Sequence, residues 1–426
     1  MSVPSRLTLR EARTESATVA AVARLAGVSE AEAIALFSQA ARRLRELLRL
    51  QTTPFDIAIS GSARVEGVAG LIRLAPGVEL QIVPKFLDPS DPTWQEDFFL
   101  LALFSQTGRI LPRDQMRAGP ARRGDLASLV GQTLTRMFRE NQRRPIRIYA
   151  QRQVREFAID GDVDPIELIL PDAEGFDQTV LELKRDNQHN AVLAGAVAAL
   201  LPEVRDAETR KQLLRMQQAL APQQTVRSAV ARRLPSRNRQ WQPACDLAVQ
   251  VLNGFGLGYT PENMLAPGFV LRTWTTWQAL VETALRTGMP SSTVYGQRRY
   301  LLGSRSVTPL NVTPDVVIAD VTGPRMVVDA KYRTREGATP GIDASDVYES
   351  LAFMEATGTS VAVLLYPRPA SDGPALPTGQ ASLFEIVTVG SRSVIGLTVE
   401  LRGISSADGY GQFASRLAAA VSTYLP

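Results

Sequence analysis

Cysteine and histidine are almost absent from the sequence. Among 426 residues there is one of each, Cys245 and His189. A single cysteine excludes an intramolecular disulfide and is typical of a reducing compartment, so we expect a cytoplasmic protein. Zinc sites are built mainly from cysteine and histidine, and this composition nearly excludes one. Any metal that the chain binds is therefore expected to have oxygen ligands, which favours Mg²⁺ or Mn²⁺.

Long apolar runs and a Gly-rich nucleotide loop are missing too. No apolar run reaches the length needed to cross a bilayer, and the first residues lack the apolar core of a signal peptide. No Walker loop occurs, so we expect any motor activity to reside on another chain. With 45% hydrophobic and 21% charged residues, the composition is that of a soluble globular protein, and its length suits two or three domains.

Two stretches of the sequence are rich in arginine and poor in acids. Between residues 136 and 155 there are seven arginines and one acid, and the stretch from 227 to 239 has five arginines and no acid. Such clusters suit phosphate groups, whether of DNA or of a nucleotide held by a partner protein. The alternative, given equal weight, is a solvated helix face on which arginine stems cover apolar surface. The candidate contacts are Arg136, Arg139, Arg143, Arg144 and Arg147.

A predicted β-hairpin in the C-terminal third brings two carboxylates together. Two apolar runs, at 316–319 and 326–328, flank a three-residue loop in which Gly323 takes the left-handed position. Folding about Thr322 sets Asp315 opposite Asp329, and the alternation of side chains puts Lys331 on the same face. Like charges at such positions repel each other, and a hard divalent cation bound by both would offset the repulsion. The alternative is a surface hairpin with solvated aspartates and a lysine paired to one of them.

The rest of the chain is predicted to form three segments. Residues 1–53 form a helical N-terminal segment with a helical hairpin at Gly27; a DNA-reading helix-turn-helix is the minor alternative there, because Glu30 and Glu32 would repel phosphate. Residues 54–265 form an α+β region with a small antiparallel sheet over 55–86, a strand over 157–163 and a connector at 254–268. Residues 266–426 form an α/β domain, a mixed sheet flanked by helices, in the order helix, strand, hairpin, helix, strand. Its first helix carries Trp274 on an apolar stripe, and Ser345 caps its second.

That order of elements, with Pro314-Asp315 and Asp329-Ala330-Lys331 on the hairpin, resembles the PD-(D/E)xK nuclease superfamily and, within it, the McrC family. McrC is the nuclease subunit of McrBC-type modification-dependent restriction systems. The resemblance covers residues from about 50 to about 370. Its further motifs are Pro84-Lys85-Phe86, Arg147-Ile148-Tyr149, and the stretches at 157–163, 186–190, 348–353 and 365–367.

The chain departs from the family in several places outside the hairpin. The helix that begins near Asn190 has alanines at 191 and 194 where the family has basic residues, and Glu349 stands where Gln is usual. The stretch at 160–162 is acidic where the family prefers basic residues beside the glycine. These departures concern contacts with a partner or with DNA, whereas the nuclease residues are intact.

The resemblance implies a Mg²⁺-dependent DNA endonuclease, with Mn²⁺ as the alternative metal. Asp315, Asp329 and the backbone carbonyl of Ala330 would ligate the metal, which lowers the pKa of a bound water and polarises the scissile phosphate. Lys331 would orient the attacking water and stabilise charge in the transition state. Glu282 would be an extra ligand or an acid that supports the ligands; the alternative is a solvent-facing residue.

The resemblance also implies partners. A separate McrB-type AAA+ GTPase would be the motor, and the α+β region would dock into its hexamer, with the first arginine stretch at the interface. The competing use of that stretch is to guide DNA to the nuclease. Double-stranded DNA, modified or not, is the expected substrate, and no membrane is involved. A different interpretation of the whole chain is a non-catalytic activator or structural stalk for the motor. The sequence names neither the modified base nor the copy number, nor whether the motor uses GTP or ATP.

Overall fold

The computed structural model of the protein describes residues 5–107, 126–252, 270–333 and 341–426, apart from residues 76, 92, 164, 170–172, 203, 205, 221–225, 227, 228, 231 and 307. The chain forms two compact units: the first contains Met1–Leu126 and Gly258–Pro426, and the second contains Ala127–Leu257. The predicted connector at 254–268 and the boundary at 265/266 lie outside the described residues. Within the described part of the chain, no helix has both the length and the apolar content needed to cross a membrane.

The N-terminal part of the first unit packs two helices against a sheet. Its elements are β1 (Ser5–Arg10), β2 (Thr14–Glu15), α1 (Thr18–Ala26), α2 (Glu30–Leu48), β3 (Phe55–Ile57), β4 (Ala63–Val65), β5 (Val68–Ala75), β6 (Val78–Val83) and α3 (Trp94–Thr107). The predicted helical hairpin is confirmed: Gly27 ends α1 with φ 67°, and Ser29 and Glu32 form a capping box at the start of α2. Phe37, Leu44 and Ile72 belong to the shared core.

Two predictions for this part need correction. The segment 1–53 is not wholly helical, because Ser5–Arg10 is a strand that pairs with β6 in parallel. The sheet is consequently mixed and not antiparallel: its order is β1-β6-β5 and then β10 (Val270–Arg272), which pairs antiparallel with β5. Strands from all three predicted segments therefore share one sheet. The division of the chain into three functional domains stays a prediction.

The second unit combines helices with a small antiparallel sheet of order β7-β9-β8. Its elements are α4 (Leu126–Asn141), β7 (Ile148–Glu156), β8 (Asp162–Val163), α5 (Pro165–Ile169), β9 (Phe176–Lys184), α6 (Gln188–Leu200), α7 (Ala207–Leu220), a 3₁₀ helix (Ser236–Trp241) and α8 (Gln242–Leu252). The strand predicted over 157–163 is wrong except for its last two residues. The chain pairs β7 with β9, a strand that the sequence did not predict.

The C-terminal part of the first unit is the predicted α/β domain. After β10 come α9 (Thr273–Gly288), β11 (Thr293–Gly296), β12 (Tyr300–Arg305), β13 (Thr308–Val312), β14 (Val316–Asp320), β15 (Gly323–Ala330), α10 (Ala344–Thr357), β16 (Val361–Pro367), β17 (Ala381–Val389), β18 (Arg392–Val399) and α11 (Gly409–Ser422). Six strands form a mixed sheet of order β11-β14-β15-β16-β18-β17, in which β15, β16 and β18 are parallel. The predicted mixed sheet with flanking helices is confirmed.

The helices of this domain cover the sheet with buried apolar residues. On α9, Trp277 and Val281 are buried, but Trp274 is 44% exposed, so its prediction on the apolar stripe is wrong. Asp343, not the predicted Ser345, caps α10, because its carboxylate accepts the backbone N–H of Ser345 at 2.8 Å. The apolar face of α10 packs on β15 and β16. Both helices thereby lie beside the edge where β14 begins and β15 ends.

Candidate active site

The hairpin of β14 and β15 has the predicted register. Val316 lies opposite Val328 in an antiparallel pair, and one further step along each strand places Asp315 opposite Asp329. A register shift occurs only near the turn, between 318 and 319. Gly323 follows the turn with φ 129°, a conformation that favours glycine. The two carboxylates therefore meet at one edge of the sheet.

Three donors hold the carboxylate of Asp315. Its Oδ2 accepts the backbone N–H of Ala330 at 2.9 Å. Its Oδ1 accepts the side-chain amide of Gln297 at 2.9 Å and that of Gln278 on α9. Neither glutamine was predicted as a site residue. The available signal was spacing: Gln278 precedes Glu282 by four residues, so the two share a helix face.

Asp329 and Lys331 form a buried ion pair beside Asp315. The carboxylate of Asp329, a residue only 5% exposed, has its Oδ2 at 2.6 Å from Nζ of Lys331. Burial, together with the negative charge of Asp315 and against the attraction of Lys331, raises the pKa of Asp329 to about 7. The two aspartates are thus close enough to repel each other, as the sequence predicts. A positive charge between them would relieve that repulsion.

Helix α10 supplies two further carboxylates to Lys331. Nζ lies 2.6 Å from Oε2 of Glu349 and 3.5 Å from Oδ1 of Asp346. Asp346 is 1% exposed, and its Oδ2 accepts the hydroxyl of Tyr366 at 3.1 Å. Burial opposes the charge on Lys331, but the carboxylates of Asp329 and Glu349 outweigh it and raise its pKa. The lysine is therefore held protonated, and Asp346 is a site residue that the sequence did not predict.

The oxygen atoms at this edge fit a hard divalent cation. Lys331 donates its backbone N–H to Leu365 on β16 at 2.9 Å, so the backbone groups of Ala330 point the other way, towards Asp315. The donor set is then two carboxylates and one carbonyl. Across the described ranges, no group of three or more His, Cys, Asp or Glu side chains is arranged to hold a metal ion. Mg²⁺ often binds through one or two carboxylates and completes its shell with water, so this set suits it.

Glu282 lies beside β11 and is paired within its own helix. Its Oε1 is 2.8 Å from Nη2 of Arg286, and its carboxylate lies so close to Gly296 that an added Cβ would be 2.0 Å from Oε1. Gly296 pairs with Val316, the residue after Asp315. The space for the carboxylate thus depends on a glycine. Its role as a ligand or supporting acid stays a prediction.

A buried polar network fixes the residue that follows Lys331. The hydroxyl of Tyr332 donates to Oε2 of Glu11 at 2.5 Å, and Thr273 at the start of α9 donates to Oε1 at 2.6 Å. Nζ of Lys85 lies 3.9 Å from the centroid of the Tyr332 ring. Burial raises the pKa of Glu11, against the hydrogen bonds from Thr273 and Tyr332. The chain after β1, the end of β6 and the start of α9 all meet here.

The predicted arginine contacts lie in the second unit, on α4 or between α4 and β7. They are Arg136, Arg139, Arg143, Arg144 and Arg147, and all except Arg136 are exposed. Arg237, from the second arginine stretch, donates to the carbonyl of Arg147 at 2.8 Å and stacks over Tyr149. The structure thus brings the two stretches together, although Arg227 lies outside the described residues. Whether these side chains contact DNA or a motor stays a prediction.

Comparisons with known proteins agree with the fold. The family model described as McrBC 5-methylcytosine restriction system component matches residues 63–367. A chain of a Thermococcus gammatolerans structure, described as McrB AAA+ hexamers with bound McrC, has 16% identity and a TM-score of 0.72, with 98% of this chain and 100% of that chain covered. A chain of the cryo-EM structure of the Thermococcus gammatolerans McrBC complex has 16% identity and a TM-score of 0.50, with 67% and 88% covered. A search among curated proteins finds no match. At 16% identity, these structural matches establish only that the fold is shared.

Proposed function

The chain belongs to the family of McrBC 5-methylcytosine restriction system components, and we propose that it is the nuclease subunit of such a system, a Mg²⁺-dependent DNA endonuclease. The observation that carries the proposal is the edge at which Asp315 faces Asp329 with Lys331 between carboxylates. Two aspartates that repel each other and a lysine with little solvent exposure lower the stability of the fold, so we infer that a function maintains them. Hydrolysis of a phosphodiester is the purpose that these groups suit best.

The chemistry divides between the metal and the lysine. A bound Mg²⁺, or Mn²⁺, would polarise the scissile phosphate and acidify the attacking water. Asp315, Asp329 and the carbonyl of Ala330 would hold it. The ammonium group of Lys331 has three N–H donors, of which Asp329 and Glu349 take two. The third can orient the water or stabilise negative charge in the transition state.

The second part of the proposal is a motor partner. A protein with this fold occurs with McrB AAA+ hexamers, and we expect this chain to dock on a motor of that type in the cytoplasm. The second unit offers a suitable surface, because Tyr149, Leu181 and Leu183 on its sheet are exposed beside Arg147. Stimulation of the motor's GTPase by the purified chain tests this docking. Charge reversal of Arg143 and Arg144 should weaken that stimulation; if it weakens only DNA binding, the interface lies elsewhere.

The nuclease proposal is tested by cleavage of methylated duplex DNA with the chain and its motor present. We expect cutting in Mg²⁺, none in EDTA, and a loss of at least about a thousandfold for Asp329→Ala, because a metal ligand is removed. The matched control is Asp320→Asn, an exposed aspartate on the same hairpin that pairs with Arg325. Both variants should still stimulate the motor. Undiminished cutting by Asp329→Ala would contradict the assignment, and a chain that never cuts but still activates the motor would be the structural stalk.

A further inference from the structure

One stretch of the nuclease domain carries positive charge and no negative charge. From residue 283 to residue 314 the sequence has four arginines and no aspartate or glutamate. Part of the stretch forms β12 and β13, an antiparallel pair that, in the described part of the chain, is a two-stranded sheet separate from the six-stranded sheet. We call this pair, residues 300–312, the ribbon. The ribbon begins and ends beside the candidate active site, because the chain leaves β11, forms the ribbon and then returns to Asp315.

The ribbon is exposed along most of its length. One side of it lies against α10, which contacts both β12 and β13, and Val312 at its base joins the apolar cluster there. Leu301 is 62% exposed and Leu310 is 38% exposed. A two-stranded ribbon has little stability of its own. Apolar side chains displayed on such an element indicate a surface that meets a partner.

The arginines of the ribbon and its base are not neutralised by the described part of the chain. Arg298, Arg299 and Arg305 are exposed, and the ion pairs formed among the described residues include none of them. Arg298 stacks over Tyr295 at 4.7 Å and over Tyr300 at 5.6 Å. Cation–π stacking orients a guanidinium group and leaves its charge intact. Three positively charged arginine side chains are therefore available to bind an anionic partner.

Arginines in neighbouring elements of this domain behave differently. Arg286 on α9 pairs with Glu282, and Arg325 on β15 lies 3.5 Å from Asp320. On the opposite side of the sheet Arg392 pairs with a glutamate of α10. Arg416 on α11 has no carboxylate partner among the described residues either, but it donates to the carbonyl of Thr378; the ribbon and its base differ in bringing three such arginines close together in sequence.

The base of the ribbon touches the candidate active site directly. Gln297 donates its backbone N–H to the carbonyl of Asp315 at 3.0 Å and its side-chain amide to Oδ1 at 2.9 Å. Arg298 and Arg299 follow that residue directly, before β12 begins at Tyr300. A polyanion bound along the ribbon is consequently led to the carboxylate that would hold the metal.

We propose that the ribbon binds duplex DNA through its backbone phosphates and presents the scissile strand to Asp315 and Asp329. The inference rests on the proposed nuclease function and adds the element that receives the substrate. Arginine binds phosphate with two parallel hydrogen bonds, and a two-stranded ribbon has the width that the major groove admits. An acid-free ribbon also avoids the repulsion that carboxylates would meet along the phosphate backbone.

The test is duplex binding by the full-length chain in EDTA, where no cleavage occurs. The probe is a labelled methylated duplex of roughly three helical turns, titrated over about 50 to 200 mM salt. The variant combines Arg298→Ala, Arg299→Ala and Arg305→Ala. Its control combines Arg64→Ala, Arg325→Ala and Arg392→Ala, which removes the same charge from arginines that are paired within the chain. Arg305→Glu alone, at the end of β12, is the second variant should the triple one fold poorly.

We expect the ribbon variant to bind at least about tenfold more weakly near 100 mM salt, with a salt slope smaller by about 0.9 for each phosphate that an arginine no longer neutralises. The control should keep the slope of the unaltered chain. The inference is overturned if the ribbon variant and the control variant both bind as tightly as the unaltered chain. It is also overturned if the two variants lose affinity to the same extent. Cleavage in Mg²⁺ is scored separately. If the chain binds DNA through the ribbon but never cuts it, the proposed nuclease function is refuted. If the chain cuts DNA and the ribbon variant binds DNA normally, only the ribbon inference is refuted.

Discussion

Two antiparallel hairpins follow each other in the C-terminal α/β domain, and their charged residues differ in whether they have partners. In β14 and β15 most strand residues are buried, and Asp315, Asp329 and Lys331 all have partners within the chain. In the ribbon of β12 and β13 most residues are exposed, and the arginines have no carboxylate partner among the described residues. Both hairpins have the same backbone pairing. The difference shows that antiparallel pairing by itself does not determine what a hairpin does with its charged residues. We propose chemistry for the charges of the first hairpin and DNA binding for those of the second.

The largest effect that would sharpen this comparison is the loss of Lys331. Lys331→Gln should abolish cleavage, by about a thousandfold or more, because the donor for the transition state is gone. It should also destabilise the protein by about 3 kcal/mol, since Asp329 loses its cation and the buried Asp346 keeps only Arg333, at 3.6 Å. Cleavage assays and urea unfolding measure the two effects. A stable, inactive variant would mean that the buried carboxylates have another counter-charge.

A matched pair of apolar truncations compares the packing of the two hairpins. Val317 on β14 is fully buried, whereas Leu310 on β13 is 38% exposed. Val317→Ala should cost about 2 kcal/mol of unfolding free energy, and Leu310→Ala less than about 1 kcal/mol although it removes the larger side chain. Urea unfolding measures both. Equal costs would show that the ribbon is part of the core and would weaken its assignment as a contact surface.

The smallest expected effect is a pH dependence that belongs to the buried hairpin alone. The pKa of Asp329 is raised from 3.8 to about 7. Because the folded-state value is the higher one, the contribution of this group to stability is full below the unfolded value and is lost as pH rises through 7. In EDTA we expect Tm to fall from about pH 5 to about pH 8, and to fall less in Asp329→Asn.

The control for the pH measurement is Asp320→Asn. The hydroxyl and backbone N–H of Thr322 hydrogen-bond Asp320 and lower its pKa, so its titration lies below the measured range. The slope of this variant should match that of the unaltered chain. A slope that Asp329→Asn leaves unchanged would contradict the raised pKa of Asp329, which burial and the charge of Asp315 cause.

The sequence predicted the parts of the site that depend on short-range rules. Alternation and turn chemistry are local, and they sufficed for the register that opposes Asp315 and Asp329. Asp346 and Glu11 were not predicted, because each reaches the site from an element distant in sequence and has no local signal. The same reason explains β10, because the sequence pattern predicts that a helix begins at Leu271, whereas Val270–Arg272 forms a strand that pairs with β5. Gln278 had only its four-residue spacing from Glu282 as a signal.

The network around Tyr332 limits how the proposed nuclease domain could be transferred to another protein. Glu11, from the beginning of the chain, accepts the hydroxyl of the residue next to Lys331, and β10 completes a sheet whose other strands lie within residues 5–83. A fragment cut at the start of the proposed nuclease domain would leave β10 without its partner strand and Tyr332 without its buried acceptor. The proposed nuclease domain therefore cannot be transferred to a fusion protein by itself, and the N-terminal strands have to be included.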